Sequence, residues 1–268
     1  MRVQRRAVVV TGASSGIGRE TALLLAGRGA RVLAVARSGD ALAALAAEQP
    51  GIEVLTADLA TEAGREAVAS SPLGAVADVL VNNAGIGWLG RVEDMTADDV
   101  RGVVDLNLFA LIDLTRRLLP AMLERGVGHV VNVASVASWL AFPPLTVYAA
   151  TKFGVQGFSE GLRRELAGRG VAVTTVNPGP VETAFGARAR GGDRPTDDLA
   201  GGPWPGVPAA WVARAVLRAI HMGGAPGYAS IAVPRILGAS RLGALPGGRL
   251  VLDAGSRVSR KLGWRSIG

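Results

Sequence analysis

A tyrosine and a lysine stand four residues apart in the segment Tyr148-Ala-Ala-Thr-Lys152. On a helix this spacing places both side chains on one face, about one turn apart. An ammonium group close to a phenol favours the phenolate, so we expect Lys152 to lower the pKa of Tyr148 from its ordinary value of about 10. The pair therefore predicts general acid–base chemistry at the phenol oxygen.

Two further polar residues could act with this pair. Ser135 lies 13 residues before Tyr148, at the end of the predicted strand His129–Val133, so its hydroxyl could hydrogen-bond a substrate oxygen as charge develops there. Asn107 lies inside a long helical pattern, where it could hold a water that links to Lys152. Packing within the helix is the alternative explanation for Asn107.

A glycine-rich segment, Thr11-Gly-Ala-Ser-Ser-Gly-Ile-Gly18, joins the first apolar run to a helical pattern. Glycine lets a backbone turn sharply and approach a phosphate closely, and a helix N-terminus offers N–H donors and partial positive charge. A tight strand-to-helix turn without a ligand is the alternative. The predicted pyrophosphate site comprises Gly12, Ser14, Ser15, Gly16, Ile17 and Gly18.

The type of dinucleotide is read at the end of the second predicted strand. An acidic residue there would bind the ribose 2′-hydroxyl of NAD, whereas an arginine suits the 2′-phosphate of NADP. This chain has Ala36-Arg37 and no carboxylate at that place. Arg37 therefore favours NADP(H) as the cofactor without excluding NAD, the alternative being a solvated arginine that opens a loop.

Short β-branched runs alternate with Ala/Leu-rich helical patterns and would position these residues. The predicted strands are Ala7–Val10, Arg31–Val35, Glu53–Thr56, Val79–Val81, His129–Val133, Val171–Val176 and Tyr228–Val233. The predicted helices cover about 17–28, 39–48, 61–69, 96–124, 147–168 and 208–221. Continuous apolar strands separated by helices are typical of a parallel sheet covered on both faces. We predict a single α/β domain with a doubly wound parallel sheet, a Rossmann fold, and a C-terminal extension.

Over about residues 5–185 the chain resembles the short-chain dehydrogenase/reductase (SDR) family. The segment TGASSGIG matches that family's glycine signature, and the segment Asn82–Gly85 matches its NNAG motif. The four polar residues match its catalytic tetrad, and the segment from Asn177 to Thr183 matches the Pro-Gly stretch after the sixth strand. In some NADP-dependent members a second basic residue occupies the position of Ser15.

The resemblance implies a hydride-transfer enzyme that interconverts a ketone or aldehyde and an alcohol, with Tyr148 as the general acid or base. The implied catalytic residues are Asn107, Ser135, Tyr148 and Lys152. Beyond the glycine loop and Arg37, the implied cofactor contacts are Asp58, Leu59, Asn83, Ala84, Gly85, Tyr148, Lys152, Pro178, Gly179, Val181 and Thr183.

Large apolar side chains are expected around the reaction centre, and they favour an apolar carbonyl or alcohol substrate, although core packing would explain each of them as well. They are Trp88, Trp139, Leu140, Phe142 and Phe185. Residues 186–208 are rich in Gly, Pro and charge, and we expect them to form a lid over the substrate. Along the chain they follow the cofactor and catalytic core (5–185) and precede the C-terminal helix, strand and basic tail (209–268).

Charge is distributed unevenly along the chain. Residues 1–185 contain 17 basic and 18 acidic side chains, whereas residues 186–268 contain 12 and 4, a net charge of +8. The tail from Arg249 to Arg265 could dock on an acidic membrane surface, but a compositional preference for arginine explains it as well. Basic and aromatic residues do not alternate there, so a nucleic-acid partner is not expected.

Several other classes of function have little support. The chain has no cysteine and only two histidines, so we predict no metal site and no Ser-His-Asp triad. No apolar run reaches the roughly 20 residues of a membrane span, and we expect a cytoplasmic protein. We also expect a homo-oligomer, namely a dimer formed through helices 96–124 and 147–168. A non-catalytic sensor of the nicotinamide cofactor is the rival hypothesis for this fold.

Overall fold

The computed structural model describes residues 1–141, 143–191, 206–223 and 230–234. The strands are β1 (Ala7–Thr11), β2 (Arg31–Ala36), β3 (Ile52–Thr56), β4 (Val79–Asn82), β5 (Gly128–Val133), β6 (Val171–Pro178), β7 (Val181–Glu182), β8 (Val207–Pro208) and β9 (Ser230–Val233). The helices are α1 (Gly16–Ala26), α2 (Gly39–Glu48), α3 (Glu62–Ser70), α4 (Pro72–Ala75), α5 (Ala97–Val104), α6 (Ala110–Glu124), α7 (Thr146–Glu165) and α8 (Ala209–Met222).

Seven strands form one parallel sheet in the order β3-β2-β1-β4-β5-β6-β9. The chain moves outward in one direction from β1 to β3 and in the other from β4 to β9, so a crevice opens between the carboxyl ends of β1 and β4. This topology confirms the predicted doubly wound Rossmann fold. The small parallel pair β7–β8 lies outside the main sheet.

Alternate residues of the central strands face opposite layers of helices, which is why β1, β2 and β4 are almost entirely apolar. In β1, Val8 and Val10 join a core cluster with side chains of α1, α2 and α8. Val9 faces the other way and packs with side chains of α3, α6 and α7. Burial on both faces makes the sheet a rigid support for the loops at its carboxyl edge.

The helical pattern predicted over 96–124 is divided in the structure. Between α5 and α6 the residues Asp105–Phe109 form a π-helical turn, which contains Asn107. Periodicity could not reveal this turn because its neighbours on both sides are ordinary α-helix. The four-residue helix α4 was not predicted; it depends on Ser71, whose side chain accepts a hydrogen bond from the backbone of Gly74, and on a proline at its start.

Some predicted features lie partly or wholly outside the described residues. They are Phe142, the middle of the expected lid and the basic tail from Arg249 to Arg265. None of the helices in the described ranges combines the length and the apolar character that a membrane span requires.

Candidate active site

The loop between β1 and α1 lies at the carboxyl edge of the sheet. Gly12 and Gly16 adopt φ angles of +67° and +54°, which L side chains rarely adopt. A Cβ at Gly18 would lie 2.2 Å from the carbonyl oxygen of Gly12, so the loop closes on itself where only glycine fits. Ser15 precedes α1 without capping it, and the first turn of α1 has no acidic side chain. This cradle of helix N–H groups fits a pyrophosphate.

The remaining side chains of the glycine loop belong partly to the protein interior. Ser14 is half-buried, and Ile17 packs against the core cluster on the α1 face of the sheet. The backbone of the loop, rather than these two side chains, is therefore its main means of contacting a phosphate.

Thr11 connects the glycine loop to the end of β4. Its hydroxyl donates to the carbonyl of Val81 at 3.3 Å and accepts from the N–H groups of Asn83 and Ala84 at 2.9 and 3.0 Å. The side-chain amide of Asn83 donates in return to the carbonyl of Thr11 at 2.9 Å. The side chain of Asn83 thus joins the two loops, and the small residue Ala84 lies beside Gly12.

The ends of β2 and β3 carry the residues predicted for the adenosine side. Arg37 directly follows β2 and is exposed. Asp58 is half-buried after β3, and its carboxylate accepts a hydrogen bond from the N–H of Ala60 at 3.0 Å. The side chain of Leu59 is 4 % exposed and belongs to the core, so Leu59 can offer a ligand little beyond its backbone.

Ser135, Tyr148 and Lys152 meet at the carboxyl end of β5. Tyr148 and Lys152 lie on α7, with the Lys152 Nζ 5.6 Å from the centroid of the Tyr148 ring. The Nζ donates to the carbonyl of Val133 at 3.0 Å, and Ser135 is near enough to Tyr148 to influence its pKa. The Ser135 hydroxyl also accepts from the N–H of Ala137 at 3.1 Å. The three predicted catalytic groups therefore form one polar cluster, in which Tyr148 and Lys152 are buried and Ser135 is half-buried.

Asn107 lies beside this cluster and is 1 % exposed. Its amide oxygen accepts from the N–H of Ile86 and its amide nitrogen donates to the carbonyl of Ile86, both at 2.8 Å. The nitrogen also donates to the hydroxyl of Thr151 at 3.3 Å. The side chain thus fastens the loop after β4 to α7, which supports the packing explanation and leaves one acceptor position on the amide oxygen for water. π-helical turns of this kind are frequent at functional sites.

Burial, rather than the neighbouring ammonium, governs the titration of the pair. It raises the pKa of Tyr148 to about 12, with the hydrogen bond from Ser135 acting in the opposite direction. It also lowers the pKa of Lys152 to about 8. The expectation that Lys152 would lower the pKa of Tyr148 is therefore wrong for this cluster, because desolvation favours the neutral form of both groups.

The segment after β6 lies across the glycine loop. Pro178 ends β6, and the N–H of Gly179 donates to the carbonyl of Val233 at 2.9 Å. Val181 begins the short strand β7. The methyl group of Thr183 lies 3.0 Å from the place a Cβ of Gly16 would take. Thr183 is therefore brought to the phosphate cradle, on the side opposite the sheet interior.

The predicted apolar wall divides into buried and accessible members. Trp88 and Trp139 are only 4 % and 8 % exposed, and Trp88 packs against Gly90 and Gly191. Phe185 is 40 % exposed, and its ring centroid lies 5.7 Å from that of Tyr148 at an interplanar angle of 59°. Phe185 is thus the aromatic side chain that the structure places both against the phenol and at the surface.

The profile of one protein family matches most of the chain. The family is described as short chain dehydrogenase, and the match covers residues 6–193. The chain belongs to the short-chain dehydrogenase family. The predicted membership is confirmed, and the match spans both the glycine loop and the cluster of Ser135, Tyr148 and Lys152.

A curated short-chain dehydrogenase relative is dehydrogenase/reductase SDR family member 7B from Bos taurus. It is 36 % identical over 199 residues, which cover 70 % of this chain and 61 % of the bovine protein. The chain thus corresponds to about three fifths of that relative's length.

Two solved short-chain dehydrogenase structures share the fold almost end to end. One, from Sphingobium yanoikuyae in complex with NADPH, is 28 % identical with a TM-score of 0.77 and covers 98 % of this chain and 97 % of its own. The other, from Burkholderia phymatum in complex with NAD, is also 28 % identical with a TM-score of 0.78 and covers 90 % and 94 %. Short-chain dehydrogenases of this shape thus use either nicotinamide cofactor.

One contact of this short-chain dehydrogenase was not predicted. Arg188 lies in the short 3₁₀ turn Gly186–Arg188 and donates to the hydroxyl of Ser15 at 2.8 Å. Two residues later the backbone of Arg190 pairs with the loop after β4: the Arg190 N–H donates to the carbonyl of Gly87 at 3.0 Å, and the Leu89 N–H donates to the carbonyl of Arg190 at 2.9 Å. The start of the expected lid is thus fastened to both loops.

Proposed function

We propose that this protein is an NADP(H)-dependent oxidoreductase that interconverts a carbonyl compound and an alcohol, with Tyr148 as the general acid and base. The observation that carries the proposal is the cluster of half-buried Ser135 with buried Tyr148 and Lys152, at the same sheet edge as the glycine cradle. Neither element alone would suffice, because a glycine turn can be structural and a tyrosine–lysine pair on a helix is common.

The cofactor, when bound, supplies a hydride for carbonyl reduction or accepts one for alcohol oxidation. The protein handles the proton. With a pKa of about 12, the Tyr148 phenol carries its proton at neutral pH and can donate it to the carbonyl oxygen as that oxygen gains charge. In alcohol oxidation the same oxygen atom takes the proton back.

Ser135 and Lys152 support this proton transfer in different ways. The Ser135 hydroxyl lies beside the phenol and lowers its pKa, so it could share the substrate oxygen with it. The Lys152 Nζ uses one donor on the carbonyl of Val133 and keeps others for the phenol side and for a ribose hydroxyl. With a pKa of about 8, Lys152 is largely cationic at pH 7 and would stabilise negative charge forming at the phenol.

Arg37 supports NADP(H) rather than NAD(H) as the preferred cofactor. It is exposed at the end of β2, immediately beside the glycine loop in the sheet order, where a guanidinium can bind a 2′-phosphate. No acidic side chain stands at positions 36 to 39 to bind a free 2′-hydroxyl instead.

An apolar substrate is supported by Phe185. Its ring contacts the Tyr148 ring and remains 40 % exposed, so it offers an aromatic surface beside the reacting oxygen. We propose bulky apolar ketones, aldehydes or alcohols as the substrate class.

The test is a titration of the purified protein with NADPH and with NADH, followed by turnover assays against apolar carbonyls and against small charged keto acids. We expect tighter binding of NADPH and turnover of apolar carbonyls. Preference for NADH would contradict the role of Arg37, and preference for charged keto acids would contradict the substrate class. Cofactor binding without turnover of any carbonyl would contradict the catalytic proposal and favour a sensor.

A further inference from the structure

Arg188 places a positive charge at the mouth of the glycine loop. Its guanidinium is exposed and donates to the Ser15 hydroxyl at 2.8 Å, across 173 positions of sequence. Within the described residues no carboxylate forms an ion pair with Arg188, whereas nine other arginines have such partners. The charge at this point is therefore available to a ligand.

The groups around Arg188 all favour an anion. Ser15 does not cap α1, and the first turn of α1 carries no acidic side chain. Helix N–H groups, a hydroxyl and a guanidinium thus face one place, which is the donor set that phosphate oxygens prefer. The sequence offers no basic residue at Ser15 itself, and Arg188 brings a guanidinium to this serine from 173 positions further along the chain.

The segment that carries Arg188 is held in place by its backbone. The N–H of Arg188 donates to the carbonyls of Ala184 and Phe185 at 3.1 and 3.2 Å, which closes a single turn. Immediately beyond, the Arg190 backbone pairs with residues 87 to 89. A guanidinium on such an anchored turn loses less conformational freedom on binding than one on a free loop.

We propose that Arg188 binds a phosphate of the nicotinamide dinucleotide at the glycine loop, supplying from the segment after β6 the basic group that the loop lacks at Ser15. This proposal rests on the proposed function, since it requires that the glycine loop bind such a dinucleotide. The same turn carries Phe185, which contacts Tyr148, so occupation of the phosphate site would also hold the substrate wall in place.

The experiment compares wild type, Arg188→Ala and Arg190→Ala by equilibrium titration with NADPH and with NADH. Arg190→Ala is the matched control: it removes the same charge from the same segment, but the Arg190 guanidinium points to Gly102, where a Cβ would lie 3.5 Å from it, and not to the glycine loop. We expect Arg188→Ala to weaken NADPH binding about three- to tenfold, as for one partly exposed charge-assisted hydrogen bond. Arg190→Ala should bind like wild type.

The second ligand identifies the phosphate. Equal weakening of NADPH and NADH assigns Arg188 to the pyrophosphate, and weakening confined to NADPH assigns it to the 2′-phosphate. Wild-type affinity in Arg188→Ala for both ligands, or an equal loss in Arg190→Ala, would overturn the proposal. Failure of the wild-type protein to bind either dinucleotide would instead refute the proposed function, and the proposal on Arg188 with it. Unchanged thermal unfolding of both variants establishes that a loss of binding is local.

Discussion

The two halves of the sheet present their polar groups in opposite ways. In the half formed by β1, β2 and β3, the groups that would meet a cofactor are backbone N–H groups and exposed charges such as Arg37. In the half formed by β4, β5 and β6, the reactive groups are buried: Asn107, Tyr148 and Lys152 are 1 %, 9 % and 5 % exposed. In the first half, the charges of a cofactor would be bound in contact with water, where a single interaction is weak. In the second half, the exclusion of water shifts the pKa values of the buried side chains, so a change of one side chain has a large effect.

The largest effect is expected in the buried half, from Tyr148→Phe. This change removes the phenol hydroxyl, and with it the proposed proton donor, while keeping the ring that packs against Phe185. We expect turnover to fall about a thousandfold, in the range of general acid–base contributions, with NADPH affinity changed little. Turnover near the wild-type rate with normal cofactor affinity would exclude Tyr148 as the acid. Single-turnover measurements at saturating cofactor check this.

A second prediction extends the comparison to His129, near the start of β5 and away from the active-site edge of the sheet. His129 is buried beside Thr174, and burial lowers its pKa from 6.5 to about 4. Between pH 4 and pH 6.5 the unfolded chain binds more protons than the folded chain. The contribution to stability is therefore fully present above about pH 6.5 and is lost as the pH is lowered to about 4. The loss should be of the order of 3 kcal/mol.

Urea unfolding from pH 7 to pH 4 measures this loss in the free energy of unfolding. His129→Gln should lose much less stability over the same window, whereas His221→Gln, at the exposed histidine, should keep most of the wild-type loss. Parallel pH profiles for wild type and His129→Gln would show that burial of this imidazole has no such effect.

In the open half, a backbone change should act more strongly than a charge change. Gly18→Ala places a methyl group 2.2 Å from the carbonyl oxygen of Gly12, so the cradle must distort. We expect cofactor affinity to fall more than tenfold and stability to fall by about 2 kcal/mol. In Gly157→Ala the new methyl group meets open space on α7, and we expect unchanged binding with up to about 1 kcal/mol of added stability. Equal effects of the two variants, in titration and in thermal unfolding, would argue against a closed cradle.

The smallest effect is expected for Arg37→Gln. The exposed guanidinium should contribute about tenfold to NADPH affinity at low salt and nothing to NADH affinity. The ratio of the two dissociation constants, measured at low and at high salt, tests this, since the preference for NADPH should shrink as salt screens the charge. A ratio that Arg37→Gln leaves unchanged would place the 2′-phosphate elsewhere, for example at Arg188.

The sequence predicted the elements that rest on repeated local patterns. The seven strands of the main sheet and the main helices lie within a few residues of their predicted bounds, because most of these strands are apolar runs and these helices have continuous patterns, whereas the short strands β7 and β8 were not predicted. The π-helical turn around Asn107 was not predicted, since it accompanies hydrogen bonds to Ile86, 21 residues away. The motif positions of Ser135, Tyr148 and Lys152 were sufficient to bring these residues together.

The properties that depend on the surroundings of a residue were not predictable from spacing. The pKa of Tyr148 moves upward, not downward, because spacing along a helix gives the distance to Lys152 but not the loss of water around both groups. The contact of Arg188 with Ser15 joins residues from distant parts of the chain, and no local pattern signals it. The division of the aromatic wall into buried Trp88 and accessible Phe185 likewise appears only in three dimensions.

Thr11 has a consequence for how the molecule can move. One hydroxyl and one backbone carbonyl of this residue hold the end of β4 against the end of β1, at the point where the sheet changes direction. These hydrogen bonds oppose a separation of the two halves of the sheet at this point. We therefore expect the ends of β1 and β4 to stay together when a ligand enters.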